Sequence, residues 1–377
     1  MTAERSVSGW DDYPVHQTSE FIRHVATSDR NFYDRYYFNL HPSSDELFAV
    51  MGMGIYPNLG TQDAFLTVRR GDTHHVVRAN QPLGDRMDTA IGPFRIEVLE
   101  PLQRLRFVVD APDLDLSCDL TWEGVFEPWI EPRHHVRKHG RIVFDTTRFA
   151  QNGRWSGSRR VGDDTFDVTP DRWWGARDRS WGVRPVGEPE VPGIQTEPVM
   201  TGMWNYVPMQ FDDHSILLLV QEEGNGHRTF DEGVRIWHDP AREPEWLGSP
   251  HAEHPIEPGT RLVRRPTTFR LPDAPGGPLE IECTPLVHNY IGIGMGYGLG
   301  DEYRHGMWLG DDLTVEGKSW PMEELDTWAW WAIVDHAARF DYTDTDGADH
   351  TGHGMFEHMF IGPYPQGGLP EGTSVAS

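Results

Sequence analysis

One thirteen-residue segment near the middle of the chain concentrates side chains that can do chemistry. It runs from Trp173 to Pro185 and contains three indoles, three guanidiniums and one carboxylate, Asp178. In an extended strand, Asp178 faces the side opposite to its neighbours Arg177 and Arg179. Because it stands between two arginines, opposite charges predict a low pKa and an ionised carboxylate. The segment predicts either an acidic site walled by indoles or a buried ion-pair staple of Arg177, Asp178 and Arg179.

Two other side chains are candidate acids for the same chemistry. Glu282 lies in a predicted strand, where it is equally an ordinary solvent-facing carboxylate. His305 has a near-neutral intrinsic pKa, although a packing histidine is the alternative. Protonating an alkene creates a carbocation, which aromatic faces stabilise in a site that excludes water. The candidate substrate-binding residues are therefore Trp173, Trp174, Arg177, Arg179, Trp181, Trp204, Tyr206 and Trp308.

Histidine-rich and glycine-rich segments give no metal or nucleotide motif. His134, His135 and His139 lie in a predicted exposed loop, and the histidines of the tail segment 350–358 fit no standard zinc spacing. Residues 292–300 have glycine at every second position but lack the lysine and serine of a phosphate-binding loop. We read this segment as a strand with one bare face. The sequence predicts no metal and no cofactor.

Charge and composition exclude several classes of partner. The chain has 377 residues and a formal net charge of −26, which repels nucleic acid and anionic membrane surfaces. Cys118 and Cys283 fit buried thiols in a reducing compartment better than a disulfide, although one bridge stays open. The first twenty residues lack a signal-peptide pattern, and no apolar run approaches membrane-spanning length. The sequence therefore predicts a cytoplasmic protein without membrane insertion, and it does not indicate an oligomeric state.

The elements that position these residues are predicted to be strands. With 39 glycines, 29 prolines and many aromatic residues, the chain shows short apolar runs separated by turns at intervals of roughly ten residues. A short helix is predicted from Phe21 to Phe32 and few others. The length favours two domains, and the Pro/Gly-rich segment Val186 to Gly193 is the best linker. We predict an all-β protein of two barrel or sandwich units, residues 1–186 and 194–377.

The central motif resembles one known group of proteins. The segments that carry the resemblance are Gly175 to Arg184, Asn152 to Gly157, Trp204 to Tyr206 and Tyr303 to Trp308. Together they resemble the AttH/CrtC-like lipocalin-related superfamily, which includes carotenoid 1,2-hydratase (hydroxyneurosporene synthase), over about Phe32 to Phe360. The resemblance implies two tandem lipocalin-like units around an apolar cavity. It also implies an acid that protonates an isoprenoid alkene, a role that would fall on Asp178 with Trp181 beside it.

Three classes of function remain open from the sequence. The first is a cofactor-independent enzyme, a hydratase (lyase) or isomerase, that acts on an isoprenoid- or polyketide-like small molecule by proton transfer in hydration, isomerisation or cyclisation. The second is a carrier that uses the same cavity without chemistry. The third is a structural partner protein. In the first two classes, the pocket is expected where the segment Trp173 to Arg184 meets the second domain.

Overall fold

The computed structural model describes residues 9–185, 193–194, 201–298, 300–331, 333–372 and 374–376. The predicted linker, Val186 to Gly193, lies outside these ranges except for Gly193. The division into residues 1–186 and 194–377 stays a prediction.

The first half of the chain forms thirteen strands of one antiparallel sheet. They are β1 Phe32–Leu40, β2 Leu47–Tyr56, β3 Thr61–Arg70, β4 Thr73–Pro82, β5 Ala90–Ile91, β6 Phe94–Glu100, β7 Arg104–Ala111, β8 Leu116–Gly124, β9 Trp129–Ile130, β10 His134–Lys138, β11 Arg141–Val161, β12 Asp164–Val168 and β13 Trp174–Val183. The main path of this sheet runs β4-β3-β2-β1-β13-β11-β8-β7-β6-β5, and β9, β10 and β12 also pair with β11.

The second half forms a nine-stranded antiparallel sheet and adds one strand to the first. Its strands are β14 Gly202–Gln210, β15 His214–Glu222, β16 Arg228–Trp237, β17 Glu245–Trp246, β18 His251–Ala252, β19 Thr267–Leu271, β20 Leu279–Asn289, β21 Thr314–Pro321, β22 Val334–Thr343 and β23 Asp349–Ile361. Strand β21 joins the first sheet beside β4, and the others follow the order β17-β16-β15-β14-β23-β22-β20-β19-β18.

Helices are few and short, which confirms the all-β prediction. The described residues contain one α-helix, α1 Met322–Asp326, and the 3-10 turns Gly9–Asp12, Pro112–Leu114 and Pro365–Gly367. The two sheets curl into half-barrels, as expected for two tandem lipocalin-like units. No helix in the described ranges combines the length and the apolar composition needed to cross a bilayer.

Apolar packing explains why the sheets lie against each other. Each sheet encloses its own core, and a third cluster joins Phe48 and Phe65 of the first sheet to Leu217 and Met355 of the second. All ten residues of β2 are buried. A strand with both faces covered loses the alternation of buried and exposed residues, because one face meets its own core and the other meets the partner sheet. This contact between the sheets creates the cavity described below.

Two local predictions were wrong, and the cysteine prediction was right. Residues 21–31 form bends and turns in place of a helix, with the hydroxyl of Thr27 accepting from the amide of Asp29 at 3.1 Å. Such local side-chain bonds compete with helix formation. Residues 292–298 form turns, with positive φ at Gly294 and Gly296, where a regular strand was predicted. Both cysteines are buried free thiols.

Candidate functional site

A cavity of about 470 Å³ lies between the two sheets. Strands β1, β11 and β13 form its first wall, and β14 and β23 with residues 291–305 form the second. A larger hollow of about 850 Å³ lies over β7, β8 and β11, where the exposed residues Asp110, Asp119 and Ser158 line it. We place the site in the cavity between the sheets, because partly and fully buried titratable groups converge there.

Strand register places the polar residues of the first wall in two adjacent rows. Asp178 on β13 is directly opposite Tyr37 on β1. Two positions along β13, Ser180 is opposite Arg35 on β1 and Arg148 on β11. Residues two apart on a strand share a face, so both rows point to the same side of the sheet. All five residues line the cavity.

The second wall carries a pair of carboxylates. Asp335 on β22 is opposite Glu357 on β23, which is opposite Tyr206 on β14. The indole Nε1 of Trp204 donates to Glu357. The Tyr37 hydroxyl reaches across from the first wall and donates to Asp335 Oδ2 at 2.6 Å. The two walls are thus joined at the carboxylate pair.

Burial and mutual repulsion favour the protonated form of the carboxylate pair Asp335 and Glu357. Asp335 has no exposed surface, and its pKa is raised well above the ordinary value by burial and by the charge of Glu357. The pKa of Glu357 is also raised by burial, although its hydrogen bonds to Asp335 and Trp204 oppose the shift. Two adjacent buried carboxylates do not both ionise readily, so this arrangement favours one proton shared between them.

Asp178 is a third carboxylate in the cavity, in a different electrostatic setting. Burial raises its pKa, against the nearby positive charges of Arg148, Arg35 and Arg184. A hydrogen bond to Ser180 also favours its ionised form. The low pKa predicted from the sequence was therefore wrong in direction, since burial outweighs these favourable charges.

The arginines next to Asp178 in sequence do not pair with it. Arg177 donates from Nε and Nη2 to Oε1 of Gln151 at 3.0 and 2.8 Å. Arg179 forms its ion pair with Asp34 on β1. Within the described part of the chain, Asp178 forms no salt bridge with either arginine, so the predicted staple does not form. Strand alternation turns both arginines to the opposite face of β13.

Arg148 provides a fixed positive charge beside Asp178. It pairs with Glu131, which is 7% exposed, and its guanidinium lies over Tyr206 at 4.8 Å and Trp204 at 5.5 Å. Burial raises the pKa of Glu131, and Arg148 opposes that shift. Burial disfavours the charge of Arg148, but Glu131 and Asp178 outweigh it and raise the Arg148 pKa. This guanidinium therefore stays charged in the cavity wall.

His305 lines the cavity as a neutral imidazole. Its Nδ1 lies 3.3 Å from Asp63 Oδ2, and the ring meets Tyr297 edge to face at 5.0 Å. Burial, followed by the positive charge of Arg35, lowers its pKa to about 4. It is therefore not an imidazolium acid at neutral pH. A Cβ at Gly296 would lie 2.6 Å from Nδ1 of His305, so only glycine lets the loop pass against this ring.

The structure brings four of the predicted site residues together. Asp178, His305, Trp204 and Tyr206 line the cavity, whereas Trp173, Trp174, Arg177, Arg179, Trp181, Trp308 and Glu282 are not part of its lining. Trp173 is buried in the first core, and Trp308 is 52% exposed. Trp181, 38% exposed, follows Asp178 by three positions and so faces the other side of β13. Glu282 is exposed on β20.

Sequence reasoning missed most of the charged lining. The missed residues are Arg35, Tyr37, Glu131, Arg148, Arg184, Asp335 and Glu357. Glu357 carried a signal, since it stands in the apolar run from Met355 to Phe360, where an unpaired carboxylate is rarely buried. His134 was predicted to lie in an exposed loop, but it belongs to β10, lines the cavity and stacks on Phe144 at 4.4 Å.

The tail histidines do not converge on one point. His350 and His358 are eight residues apart on β23, about 27 Å along an extended strand. Among the described residues, one group of three potential metal ligands is close enough to share an ion. The ligand atoms of this group, Asp213, His214 and His350, lie within 4.8 Å of one another. Both ring nitrogens of His214 already have partners, Asp213 at 2.7 Å and the Tyr342 hydroxyl at 2.6 Å.

Comparisons with known proteins complete the description. The solved structures that resemble this chain include the AttH-like protein NE1406 from Nitrosomonas europaea, at 12% identity and a TM-score of 0.44, covering 92% of this chain and 98% of that one. Kievitone hydratase from Nectria haematococca matches at 10% identity and a TM-score of 0.39, covering 86% of this chain and 88% of that one. CghA with Sch210972 matches at 10% identity and a TM-score of 0.47, covering 88% of this chain and 89% of that one. No curated protein matches the chain. Residues 7–370 match DUF8625, a family of unknown function, and the chain belongs to that family.

Proposed function

We propose that this chain is a cofactor-independent enzyme that transfers protons to and from an unsaturated small molecule held between its two sheets. The net reaction would be a hydration, an isomerisation or a cyclisation. The observation that carries the proposal is the buried pair of Asp335 and Glu357, which Tyr37 connects to a separate carboxylate, Asp178, on the other wall of the cavity. Carboxylates whose surroundings push their pKa values apart are the usual sign of an acid and a base.

The proton donor in this proposal is the carboxylate pair. Glu357 lines the cavity and can protonate a bound molecule directly. Tyr37 lines it as well and contacts Asp335, so a proton can also leave the pair through the tyrosine hydroxyl. In that relay, the Tyr37 hydroxyl first turns its proton from Asp335 towards the substrate, and Asp335 then donates to the hydroxyl oxygen as the hydroxyl proton leaves.

The proton acceptor is Asp178. Positive charges at Arg148, Arg35 and Arg184 favour its ionised form, whereas the paired carboxylates each face another acidic group. A carboxylate with a raised pKa is also a stronger base once it is ionised. Asp178 would deprotonate the attacking water in a hydration, or a substrate carbon in an isomerisation.

The remaining wall suits a largely apolar substrate that also carries polar groups. Trp204, Tyr206 and Phe230 provide aromatic faces for a developing cation, and Ile333 and Met359 extend the apolar surface. The volume lies within the range of about 300–1,000 Å³ usual for small-molecule sites. Because charged residues also line the cavity, the apolar cavity that the resemblance implied is too simple a description. An isoprenoid or polyketide skeleton with oxygen substituents fits this lining better than a pure hydrocarbon.

The experiment has two stages. Native mass spectrometry of the protein purified from its source identifies a small molecule that co-purifies, and that molecule is then incubated with the enzyme in D₂O. Proton transfer to carbon should place deuterium in the product. Asp335→Asn should abolish the incorporation, and Glu282→Gln, which removes an exposed carboxylate, should not. A molecule that binds but returns unchanged and without deuterium would reject the enzyme and support a carrier.

A further inference from the structure

We infer that the cavity takes its substrate as an anion, with a carboxylate or a comparable acidic oxygen held between Arg35 and Arg184. The inference rests on the proposed function for the identity of the site. It concerns binding alone, so it can be tested without turnover.

Two arginines of the cavity have no carboxylate in ion-pair contact within the part of the chain that the structure describes. Among the described residues, neither Arg35 nor Arg184 has a carboxylate oxygen within 4.0 Å, and the Nε of each is buried without a hydrogen-bond partner. Arg35 is only 4% exposed, and it donates from Nη1 to the neutral hydroxyl of Tyr297 at 3.2 Å. Burying a guanidinium without a compensating anion is costly, so such a site favours a negatively charged ligand.

The surrounding carboxylates neutralise Arg35 and Arg184 only in part, through the longer-range charges of Asp178 and Asp63. Asp63, which acts on Arg35 at longer range, already accepts from the amide of Gly306 at 2.8 Å and the Tyr56 hydroxyl at 3.2 Å. Four arginines line the cavity against three carboxylates, Glu131, Asp178 and Glu357. Glu131 is taken by Arg148, the pair of Glu357 and Asp335 carries one negative charge when it shares a proton, and Asp178 is left to balance Arg35, Arg184 and Arg304. The cavity thus carries excess positive charge within a chain of net charge −26.

Aromatic rings hold both guanidiniums in place before a ligand arrives. Arg35 lies over Phe65 at 5.3 Å and Tyr297 at 5.6 Å, and Arg184 lies over Tyr33 at 4.4 Å. Stacking through the flat face leaves the edges of a guanidinium available, and those edges match the two oxygens of a carboxylate. The cations are therefore preorganised for an anion.

The register also sets where the anion lies relative to the chemistry. Arg35 is two positions from Tyr37 on β1, which is about 7 Å along a strand. Tyr37 is opposite Asp178 and contacts Asp335. The substrate class that fits is a small amphipathic acid whose reacting double bond lies several atoms from its acidic group.

Two fluorescent probes that differ only in charge test the inference. They are 8-anilinonaphthalene-1-sulfonate, an anion, and N-phenyl-1-naphthylamine, its neutral parent. The wild type should bind the anion at least about tenfold more tightly, since truncating one partner of a desolvated charge pair commonly costs more than that factor. Arg35→Gln and Arg184→Gln should each remove most of this preference and leave the neutral probe's affinity unchanged. Arg35→Lys retains a charge and should keep part of it.

Controls locate the probes and separate the outcomes. Arg270→Gln, at an exposed position on β19, should alter neither affinity. Ile291→Trp should weaken both probes, because it fills the cavity that Ile291 lines. Equal affinities in the wild type, an anion preference that survives in folded Arg35→Gln and Arg184→Gln, or binding unaffected by Ile291→Trp would each overturn the inference. None of these results bears on deuterium transfer by Asp335, so the proposed function can fail or stand separately.

Discussion

The two walls of the cavity hold carboxylates in opposite electrostatic settings. On the first wall, Asp178 has arginine charges around it and lies between Tyr37 and Ala150 in its row of the sheet. On the second wall, Asp335 and Glu357 face each other across two strands and have no cation in their row. Burial raises the pKa on both walls, but the strongest opposing charges at Asp178 are arginines, whereas the largest effect on Asp335 after burial is the like charge of Glu357. Burial raises the pKa in both settings, so burial alone does not distinguish the acid from the base. The charges next to each carboxylate make that distinction.

A substitution in the carboxylate pair of the second wall should have the largest effect on turnover. Asp335→Asn keeps the shape of the side chain but removes the shared proton, so turnover of the co-purifying molecule should fall by about 100- to 10,000-fold. The unfolding temperature at neutral pH should stay the same or rise, because folding raises the pKa of Asp335 and the amide removes the cost of burying that carboxyl. Rates and thermal unfolding of the same preparations check this. Activity within a few-fold of the wild type would remove the pair from the mechanism.

The first wall should respond differently to the matching change. Asp178→Asn should also lower turnover by about 100-fold or more, since it removes the base. A carboxylate whose pKa is raised by folding contributes stability below its unfolded pKa and loses it as pH rises through the folded pKa. The asparagine variant should therefore unfold at the same or a higher temperature at neutral pH. A loss of about 3–5 kcal/mol in unfolding free energy would instead support the hypothesis of an ion-pair staple at Asp178.

The opposite face of β13 should affect stability without affecting catalysis. Arg177→Met leaves Oε1 of Gln151 without its two donors, whereas the carbonyl of Leu102 loses one donor and keeps Nε2 of Gln151. Unsatisfied buried acceptors predict a loss of about 1–3 kcal/mol in unfolding free energy. Turnover should stay near the wild-type value below the melting transition. Arg270→Met, whose ion pair with Glu280 is exposed, is the control and should change the unfolding free energy by less than about 1 kcal/mol.

The smallest expected effect is a shift in the pH profile. Activity should fall as pH rises through the raised pKa of the carboxylate pair, because the donor must be protonated. The Trp204 indole lowers the pKa of Glu357 by donating to it, so Trp204→Phe should move the alkaline limb to higher pH. The rate on the plateau should stay within about tenfold, since one hydrogen bond contributes only about 1 kcal/mol. An alkaline limb that stays in place would mean that it reports another group.

The fold was predictable from the spacing of apolar runs and turns, but its exceptions had local causes. The strand at Phe32 was found, whereas the segment before it lacked any sequence cue strong enough to separate a short helix from turns. The alternating glycines of residues 292–298 have the period of a strand. Gly294 and Gly296 have positive φ values and pack against Trp320 and His305, contacts that a strand pattern does not reveal.

The site was predictable only where one segment carried its own signal. The dense segment around Asp178 does contribute to the first wall of the cavity. The neighbouring arginines, however, led to a prediction of the wrong direction for the pKa shift of Asp178. Tyr37 and Asp335 are 298 residues apart in sequence, and their hydrogen bond depends on the packing of the two sheets. No local pattern specifies that contact, since it requires the register of four strands and the position of one sheet on the other.

Infrared difference spectroscopy tests the central claim most directly. The proposed mechanism requires that Asp335 and Glu357 share a proton at neutral pH. The wild-type spectrum minus that of Asp335→Asn should show the C=O stretch of a protonated carboxylic acid, which shifts in D₂O and disappears at alkaline pH. Glu282→Gln provides the matched control and should leave that band in place. A difference spectrum with carboxylate bands alone would show that both groups are ionised, and would contradict the assignment of the pair as the acid.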